Sequence, residues 1–255
     1  MKKLSIITVC LDAKDDLDKT LASIAPQKTK EVELVIIDGN SSDGSEVVFK
    51  KYSDMIDRLV VEGDKGIYDA QNKGIDNANG RYLLFLNAGD ILKEGVLTKV
   101  GLEADRPDII FGNIDVKMSE DFSFIKKMKP RISKMFLYYD TIPHQAVFIR
   151  KSLFDKIGKY KLEYPIVADY EFFVNALFME NCSSSKIDLC ISEYNMDGTS
   201  SRLSNRRKMM KERAQIKRLY YTGFELFVFG LLSPFYYLFV KYPSYLKRLR
   251  RRKDD

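Results

Sequence analysis

The sequence contains no tryptophan, one histidine and three cysteines among its 255 residues. Cys10, Cys182 and Cys190 have no metal-binding spacing, and an odd number in a chain of this length argues against a disulfide framework. Reduced thiols in the cytosol are therefore the simplest expectation. The absence of tryptophan does not exclude a substantial core, because 16 Phe and 15 Tyr supply bulky apolar side chains and hydrophobic residues make up 45% of the chain.

The sequence also has little that would direct it through or across a membrane. The segment MKKLSIITVCL has an apolar run of about eight residues, and no small-residue cleavage site follows it. Near the other end, the apolar stretch after Glu225 is interrupted by Gly230, Ser233 and Pro234, whereas a spanning helix needs about 20 apolar residues. We therefore expect a chain that is not secreted and does not span the bilayer.

Charge is distributed unevenly. Residues 202–255 hold 15 Lys and Arg against four Asp and Glu, whereas residues 1–201 hold 27 against 32. Basic side chains interleaved with Phe, Tyr and Leu fit anionic lipid, and no RNA-binding signature points to nucleic acid. We predict a domain over 1–201 and a basic, aromatic, helical tail over 202–255. The tail would hold the protein peripherally on the cytoplasmic face of the cell membrane; the alternative is a helix packed on the domain with a solvated basic end.

The first part of the chain alternates strands with helices. Leu4–Val9 and Glu33–Asp38 are continuous apolar runs, typical of strands covered on both faces, and RLVVEGD and YLLFLN follow them. Leu17, Leu21 and Ile24 recur at helical spacing between the first two, a second helix runs to about Met55, and a third covers about 66–78. The pattern predicts a mostly parallel α/β sheet with helices on both faces.

The second part is less regular. We expect strands in DIIFGNIDV, FSFIKKM, HQAVFI and KIDLCISEY, and helices in ISKMFLYY, KSLFDKIG, ADYEFFVNALF and 203–219. A turn is expected at 118–121, and Phe172, Ala176 and Met179 should share the apolar face of one helix. These elements extend the first half and do not read as a second independent domain.

Polar residues follow each of the first four strands. They are Asp12 after the first strand, Asp38 after the second, Asp64 with Lys65 after the third, and Asn87 with Asp90 after the fourth. Ligands of such sheets bind beyond the carboxyl ends of the strands. One polar turn alone would be unremarkable in a surface loop, but four at one edge favour a ligand site.

Five segments of the chain form a distinctive series, in this order: LSIITVCLDAKDDLDKTLASI, VIIDGNSSDGS, DKGIYDAQNKGIDNANGRYLLFLNAGD, HQAVFIRKSLF and ADYEFF. In these segments the chain resembles the family 2 glycosyltransferases, in particular bacterial enzymes of polysaccharide or O-antigen assembly. The resemblance implies a GT-A fold, with a nucleotide-binding half at 1–90 and an acceptor-binding half at 91–201. It also implies transfer of a sugar from a nucleotide diphosphate, UDP being the expected nucleotide, to a saccharide or lipid-linked saccharide.

The resemblance further implies which residues contact the donor. Asp38 would face the base or ribose, and Asp64 would help to close over them. The other positions expected along the nucleotide are Thr8, Cys10, Asp12, Lys65, Gly66 and Asn72. Many relatives have Tyr-Asn where this chain has Leu11-Asp12, so one ring or amide contact is expected to be missing.

The stretch LNAGD matches the position of the family's DxD metal motif but departs from it. Asn87 stands for the first Asp and Gly89 for the third residue, so that only Asp90 is an anionic ligand. The resemblance implies Mg²⁺ or Mn²⁺ at Asp90, held more weakly than by two carboxylates, with water and diphosphate oxygens completing the shell. The small Ala88-Gly89 pair is expected to let the diphosphate approach the backbone.

Asp169 matches the family's catalytic base, and the implied reaction inverts the anomeric carbon without a covalent intermediate. The residue before it, often acidic in relatives, is Ala168. His144 lies in an HQ segment that would face the diphosphate or acceptor, although a lone histidine is commonly structural. Two other readings are open: a sugar nucleotidyltransferase, and a degenerate homologue that binds nucleotide or membrane without turnover, which the missing DxD aspartate motivates.

Overall fold

The computed structural model describes residues 2–119, 122–195 and 205–241. Its first part alternates strands and helices as predicted, with short connections. The elements are β1 (Leu4–Cys10), α1 (Lys14–Ile24), β2 (Val32–Asp38), α2 (Glu46–Lys51), β3 (Arg58–Val61), α3 (Ile67–Asn77), β4 (Tyr82–Phe85), β5 (Ile91–Leu92) and α4 (Val96–Lys99).

The second part adds longer strands and the C-terminal helices. The elements are β6 (Ile109–Ser119), β7 (Phe122–Lys126), α5 (Lys134–Tyr139), β8 (Val147–Arg150), α6 (Ser152–Ile157), α7 (Ala168–Val174), β9 (Ser184–Asn195), α8 (Arg206–Tyr220) and α9 (Gly223–Tyr236). Wider helical turns continue α7 over Asn175–Met179 and α9 over Tyr237–Lys241.

The strands form one mixed sheet in the order β3-β2-β1-β4-β8-β6-β9-β5, with β7 paired to β6. β3, β2, β1 and β4 are parallel, which confirms the prediction for the first part. β8 is antiparallel to both β4 and β6, so the sheet becomes mixed beyond β4. The carboxyl ends of the four parallel strands therefore lie at one edge, together with the segment that enters β8, whereas the segment that leaves β8 lies beside the start of β4.

Helices cover both faces of the sheet, as the continuous apolar runs predicted. Every residue of β1 and β2 is buried. Ile6 packs in the layer with Leu17 and Leu21 of α1, whereas its neighbour Ile7 packs in the layer with α3 and α7. Alternate residues of a strand point to opposite faces, which explains why adjacent isoleucines belong to different layers.

The sequence-based bounds need several corrections. The helix predicted to reach Met55 ends at Lys51, because Tyr52 leaves the helical conformation and a tighter turn follows. His144 belongs to a short turn, and the strand predicted to start there begins at Val147. Met179 is 52% exposed, because the wider turn of 175–179 rotates it away from Phe172. Glu120, Asp121, Leu203 and the final KRLRRRKDD lie outside the described residues.

The C-terminal helices pack against the rest of the protein. Ile216 of α8 and Tyr221 after it are buried in the layer that contains Phe172 and Phe173 of α7. On α9, Phe229 packs against Tyr138, and Tyr236 stacks on Tyr139 with ring centroids 4.0 Å apart. The inner side of this predicted tail is thus continuous with the core.

Candidate active site

The loops after β1 and β2 are tied together by their own acids. Asp38, which is 2% exposed, accepts hydrogen bonds from the backbone N–H (2.9 Å) and the hydroxyl (2.5 Å) of Ser41. The Cys10 thiol lies 3.3 Å from Asp38 Oδ1, and burial together with that carboxylate raises the pKa of Cys10. Asp12, in the left-handed region with φ of 46°, accepts from the Ser42 backbone at 2.8 Å. These side chains hold the two loops in register.

A cavity of about 320 Å³ opens beside these loops, at the ends of β2 and β3. Its walls combine Asp38 and Ser41 with apolar and basic side chains, namely Phe49, Lys50, Leu59 and Val61. A larger cavity of about 410 Å³ next to Lys93 and Asp115 contains none of the predicted site residues.

The segment after β3 forms its own turn. Asp64 Oδ1 accepts from the N–H of Gly66 at 2.8 Å, and the Lys65 N–H donates to Asp69 at 2.9 Å. Gly66 has φ of 116°, a conformation that favours glycine. Asp64 Oδ2 would lie 2.7 Å from a Cβ at Gly39, which places the turn beside the loop after β2. Asp64 thus reaches the edge where Asp38 and Asp12 lie.

The loop after β4 is closed by hydrogen bonds. The N–H of Asn87 donates to Asp90 Oδ2 and the N–H of Asp90 donates back to the Asn87 carbonyl, each at 3.0 Å. The Ala88 N–H donates to Val9, and the Gly89 N–H donates to the Thr20 hydroxyl at 2.9 Å. The backbone N–H groups of the loop are thus bonded within the protein, and Gly89 has φ of 98°. This backbone conformation favours small residues in the loop. The expectation that the small Ala88-Gly89 pair lets a diphosphate approach the backbone stays a prediction.

Asp169 lies at the start of α7 and is the centre of a half-buried hydrogen-bond chain. Its Oδ1 accepts from the Tyr68 hydroxyl and from the Tyr170 N–H, each at 2.8 Å. Its Oδ2 lies 3.2 Å from Nδ1 of His144, and Nε2 of that ring lies 3.2 Å from Nδ2 of Asn87. The structure thus brings together three predicted site residues from the loop after β4, the turn before β8 and the start of α7.

Gln71 and Tyr68 complete this chain, and the sequence analysis did not single them out. Gln71 is 1% exposed and donates from Nε2 to Asn87 Oδ1 at 3.0 Å. Both residues lie in the GIYDAQNKG segment, and their i, i+3 spacing places them on one face of α3. That spacing, in a segment already noted as distinctive, was the available signal.

Charge and burial shift the pKa values of Asp169, His144 and Asp90 in different ways. Burial opposes ionisation of Asp169, but the bonds from His144 and Tyr68 outweigh it and lower the pKa of Asp169. Burial lowers the pKa of His144, but the hydrogen bond and charge of Asp169 outweigh it and raise that pKa. Burial raises the pKa of Asp90 to about 7. Asp169 and His144 therefore favour an ion pair, whereas Asp90 favours its neutral form more than an ordinary aspartate does.

Several buried polar atoms near this chain have no hydrogen-bond partner among the described residues. They include Gln71 Oε1, Tyr160 OH and the Thr8 hydroxyl. Burial and the charge of Asp169 raise the pKa of Tyr160, so its hydroxyl remains a proton donor. Unpartnered buried polar groups are costly and commonly mark a place where a ligand or water binds.

Asn72 lies in the same helix but has a different environment. Its Nδ2 donates to the Tyr160 carbonyl at 2.8 Å, and its Oδ1 accepts the Tyr160 N–H at 3.0 Å. Both polar atoms of the predicted nucleotide contact are thus engaged by one backbone segment. Asn72 holds α3 to the 158–160 loop.

The side chains around Asp90 do not by themselves fit a divalent metal. Within 2–119, 122–195 and 205–241, no group of three His, Cys, Asp or Glu side chains converges to hold an ion. Asp90 is 5% exposed, and its carboxylate accepts from its own loop and from Gln145. Mg²⁺ prefers ionised carboxylates and water, neither of which this environment favours. The predicted Mg²⁺ or Mn²⁺ at Asp90 stays a prediction.

Comparison with solved structures identifies the class of fold. S. aureus TarS 1–349 superimposes with a TM-score of 0.68 at 16% identity, over 94% of this chain and 73% of that one. The mannosyltransferase PcManGT from Pyrobaculum calidifontis, solved with GDP-Man and Mn²⁺, gives a TM-score of 0.62 at 14% identity, over 85% and 64%. The predicted GT-A fold is confirmed.

Comparison of sequences identifies the family. The model of glycosyl transferase family 2 matches residues 5–162, and the chain belongs to that family. A PGL/p-HBAD biosynthesis glycosyltransferase of Mycobacterium tuberculosis is 31% identical over 222 residues, which cover 84% of this chain and 85% of the relative. The putative teichuronic acid biosynthesis glycosyltransferase TuaG of Bacillus subtilis is 32% identical over 99 residues, 38% of this chain and 39% of the relative.

Proposed function

We propose that this glycosyltransferase moves a sugar from a UDP-sugar to a hydroxyl of a saccharide or lipid-linked saccharide, with inversion at the anomeric carbon. The observation that carries the proposal is the half-buried Asp169–His144 pair beside Asn87, at the carboxyl ends of the parallel strands. Open α/β sheets bind ligands at that edge. The donor's base would occupy the cavity between Asp38 and Leu59, and its sugar would lie toward Asp169.

The chemistry assigned to the chain is one displacement. The acceptor oxygen forms a bond to C1 of the sugar as the bond from C1 to the diphosphate oxygen breaks, and the nucleoside diphosphate leaves with that electron pair. The acceptor's proton passes to the Asp169–His144 pair, with Asp169 as the general base. The lowered pKa of Asp169 keeps it ionised at neutral pH, and Tyr68 and His144 hold its carboxylate in place.

The relatives support the substrate classes without deciding them. TarS has been solved with UDP and with UDP-GlcNAc, which supports a UDP-sugar, whereas the GDP-Man complex of PcManGT keeps GDP-sugars in the test. The names of the mycobacterial and Bacillus relatives support an acceptor in the biosynthesis of cell-surface glycolipids or polysaccharides.

A donor screen tests the proposal. UDP- and GDP-sugars are incubated with the full chain, and release of nucleoside diphosphate is measured with Mg²⁺, with Mn²⁺ and with EDTA. Release from a UDP-sugar is expected, and the EDTA arm decides whether the predicted metal is needed. Pyrophosphate release from NTP and sugar phosphate would instead identify a nucleotidyltransferase.

Asp169→Asn separates catalysis from binding. The amide keeps the shape of the side chain but is not a base, so turnover should fall by roughly 10²- to 10⁴-fold. Donor affinity, measured by calorimetry, should stay near that of the wild type. The matched control is Asp155→Asn, an exposed position on α6. Unchanged turnover in Asp169→Asn would exclude Asp169 as the base, and an inactive wild type with intact donor binding would identify a degenerate homologue.

We also propose that α9 holds the protein at an anionic membrane surface. By length and composition, Gly223–Val240 could cross a bilayer, and none of its residues is fully buried, although one side of the helix packs on the protein. Phe224 and Phe227 are 77% and 70% exposed, and with three further exposed residues at helical spacing they form one face, which comprises Phe224, Phe227, Leu231, Phe235 and Leu238.

The packing of α9 favours an interfacial position. Its opposite side is joined to α5 by the Lys134–Glu225 ion pair at 2.8 Å and by the Tyr139 hydroxyl, which donates to the Phe229 carbonyl. A helix docked lengthwise on the domain can place only one side in lipid. Basic side chains exposed on the adjoining α8 suit anionic headgroups; they are Arg206, Arg207, Lys208, Lys211 and Arg218.

Vesicle flotation tests the membrane proposal. We expect the triple variant Phe224→Ser, Phe227→Ser and Phe235→Ser to bind vesicles of phosphatidylcholine with phosphatidylglycerol at least about tenfold more weakly, a loss of only ~1.4 kcal/mol. Ile125→Ser, which removes an apolar side chain that is 52% exposed on β7, should bind as the wild type does. Equal flotation of the triple variant and the wild type would contradict the proposal.

A further inference from the structure

The segment that carries Asp169 has no capping side chain of its own. Val167 stands at the start of α7 with no side-chain cap, and the residues just before the helix form a turn. Exposed N–H groups at a helix start are normally satisfied by a nearby Ser, Thr, Asp or Asn. At α7 the two backbone N–H groups immediately before the helix, those of Ile166 and Val167, are bonded by a side chain of α8, 45 residues beyond Val167.

Glu212 supplies that side chain. It is 4% exposed, and its Oε2 accepts the backbone N–H groups of Ile166 at 3.0 Å and Val167 at 3.2 Å. Its carboxylate thus lies at the positive end of α7, where a negative charge is favoured. From the other side, the Tyr68 hydroxyl contacts both the Ile166 carbonyl (3.0 Å) and Asp169. Residues 166–169 are therefore held between α3 and α8.

The next residue of α8 connects α7 to the segment that leads to His144. Arg213 donates to the Asp140 carbonyl at 2.8 Å and to the Leu137 carbonyl at 3.3 Å, at the end of α5. Its guanidinium also lies 4.2 Å from the ring centroid of Tyr170, the neighbour of Asp169. Two consecutive residues of α8 thus contact the two backbone segments whose side chains form the Asp169–His144 pair.

We propose that Glu212 is a positioning residue for Asp169, which makes α8 a part of the catalytic apparatus. By holding the backbone of 166–167, Glu212 sets where the Asp169 carboxylate meets Nδ1 of His144. Glu212 itself touches no reacting atom. The catalytic consequence rests on the proposed function, whereas the positional claim can be tested without any substrate.

Three substitutions of Glu212, one of them isosteric, test the proposal. Glu212→Gln keeps an oxygen that accepts both N–H groups, and its amide nitrogen takes the place of Oε1, which has no partner among the described residues. Glu212→Ala removes the contacts. Glu212→Asp keeps the charge but withdraws it by one methylene, so it serves if the alanine variant fails to fold. Gln215→Ala, on the exposed side of α8, is the matched control.

His144 allows a readout that needs no activity, because it is the only histidine in the chain. Its imidazole resonances in selectively labelled full-length protein can be titrated by NMR. We expect the pKa of His144 to fall in Glu212→Ala and Glu212→Asp, since Asp169 is displaced from Nδ1, and to stay near the wild-type value in Glu212→Gln and Gln215→Ala. An unchanged pKa in the Ala and Asp variants would overturn the proposal. So would equal decreases in the Gln and Ala variants, because they would show an effect of charge alone.

Kinetics complete the test. With an active donor and acceptor pair, kcat of Glu212→Ala should fall at least tenfold with KM for the donor within about twofold, and Glu212→Gln should recover most of kcat. Equal kcat in Glu212→Ala and the wild type would overturn the positioning role. If the wild type transfers no sugar while the NMR titrations still separate the variants, the proposed function fails and the positional claim stands.

Discussion

At the residue scale, burial and hydrogen bonding give Asp169, Asp90 and Asp38 different environments. Asp169 is ionised because His144 and Tyr68 stabilise its charge. Asp90 is more deeply buried, its bonds come from its own loop and from Gln145, and burial raises its pKa to about 7. Asp38 is bonded to Ser41 and holds a loop. The pKa values of Asp169 and Asp90 thus shift in opposite directions, because the balance of desolvation and hydrogen bonding differs between the two carboxyl groups.

The raised pKa of Asp90 gives a pH-dependent prediction. A carboxyl whose pKa is higher in the folded than in the unfolded protein stabilises the fold fully below the unfolded value, and that contribution is lost as pH rises through about 7. Asp90→Asn cannot ionise, so the variant should gain stability relative to the wild type between pH 5 and pH 8. The gain is on the order of 4 kcal/mol at most, from about three pKa units.

Thermal unfolding with EDTA at several pH values measures this difference. EDTA is included because a divalent ion would favour the ionised carboxylate and oppose the effect. Melting curves of the two proteins that stay parallel from pH 5 to pH 8 would contradict the raised pKa. Asp155→Asn, at an exposed carboxylate, controls for the general effect of removing one negative charge.

At the element scale, α3 links the sheet to the site because it approaches β1 closely. A Cβ at Gly74, inside α3, would lie 2.3 Å from Ile7 Cγ2. The same helix carries Tyr68 and Gln71 to Asp169 and Asn87. The glycine is unfavourable for an isolated helix, but it lets the helix lie near enough to the sheet for these contacts.

Gly74→Ala should therefore destabilise the protein despite the better helix propensity of alanine. Overpacking of this kind costs roughly 1–3 kcal/mol, against about 1 kcal/mol gained from propensity. The double variant with Ile7→Ala should be less destabilised than the sum of the two single variants, because the second change removes the clashing methyl. Denaturant unfolding gives the free energies, and Gly63→Ala, where nothing lies within 4 Å, is the control. Additive effects would contradict the predicted clash.

At the scale of the whole molecule, the C-terminal helices pack against the rest of the protein on one side and face solvent on the other. Glu212 and Ile216 are buried, Glu171 is bonded by Tyr220 of α8, and Tyr139 stacks on Tyr236 of α9. Phe224 and Phe227 of the same α9 are largely exposed. The sequence analysis described the tail either as a packed helix or as a membrane-surface segment. The packed helix describes one side of the tail, and the membrane surface is proposed for the other side.

Two truncations test this organisation. A chain ending at residue 201 should melt at a lower temperature than the full chain and lose turnover even with a water-soluble acceptor, because it lacks Glu212, Arg213 and the buried Ile216. A chain ending at residue 241 should keep both properties. Differential scanning calorimetry and the donor assay check this. Full activity in the 1–201 chain would show that the catalytic domain is complete without α8.

The sequence by itself determined the alternation of strands and helices, the parallel arrangement of β1 to β4 and the edge at which polar residues gather. Those features are local, because apolar periodicity and turn residues act over a few positions. Asp169, His144 and Asn87 were named from the family resemblance. Their contact, and the participation of Tyr68 and Gln71, follow only from the way α3, α7 and the turn before β8 meet. Only the tertiary structure decided that the side chains of Asp90 and Asn72 are bonded within the protein. It also decided that Glu212 is buried although it lies in a basic helix, and that one side of α9 is exposed. Pairings across tens of residues, and the burial that sets each pKa, depend on packing that no local pattern encodes.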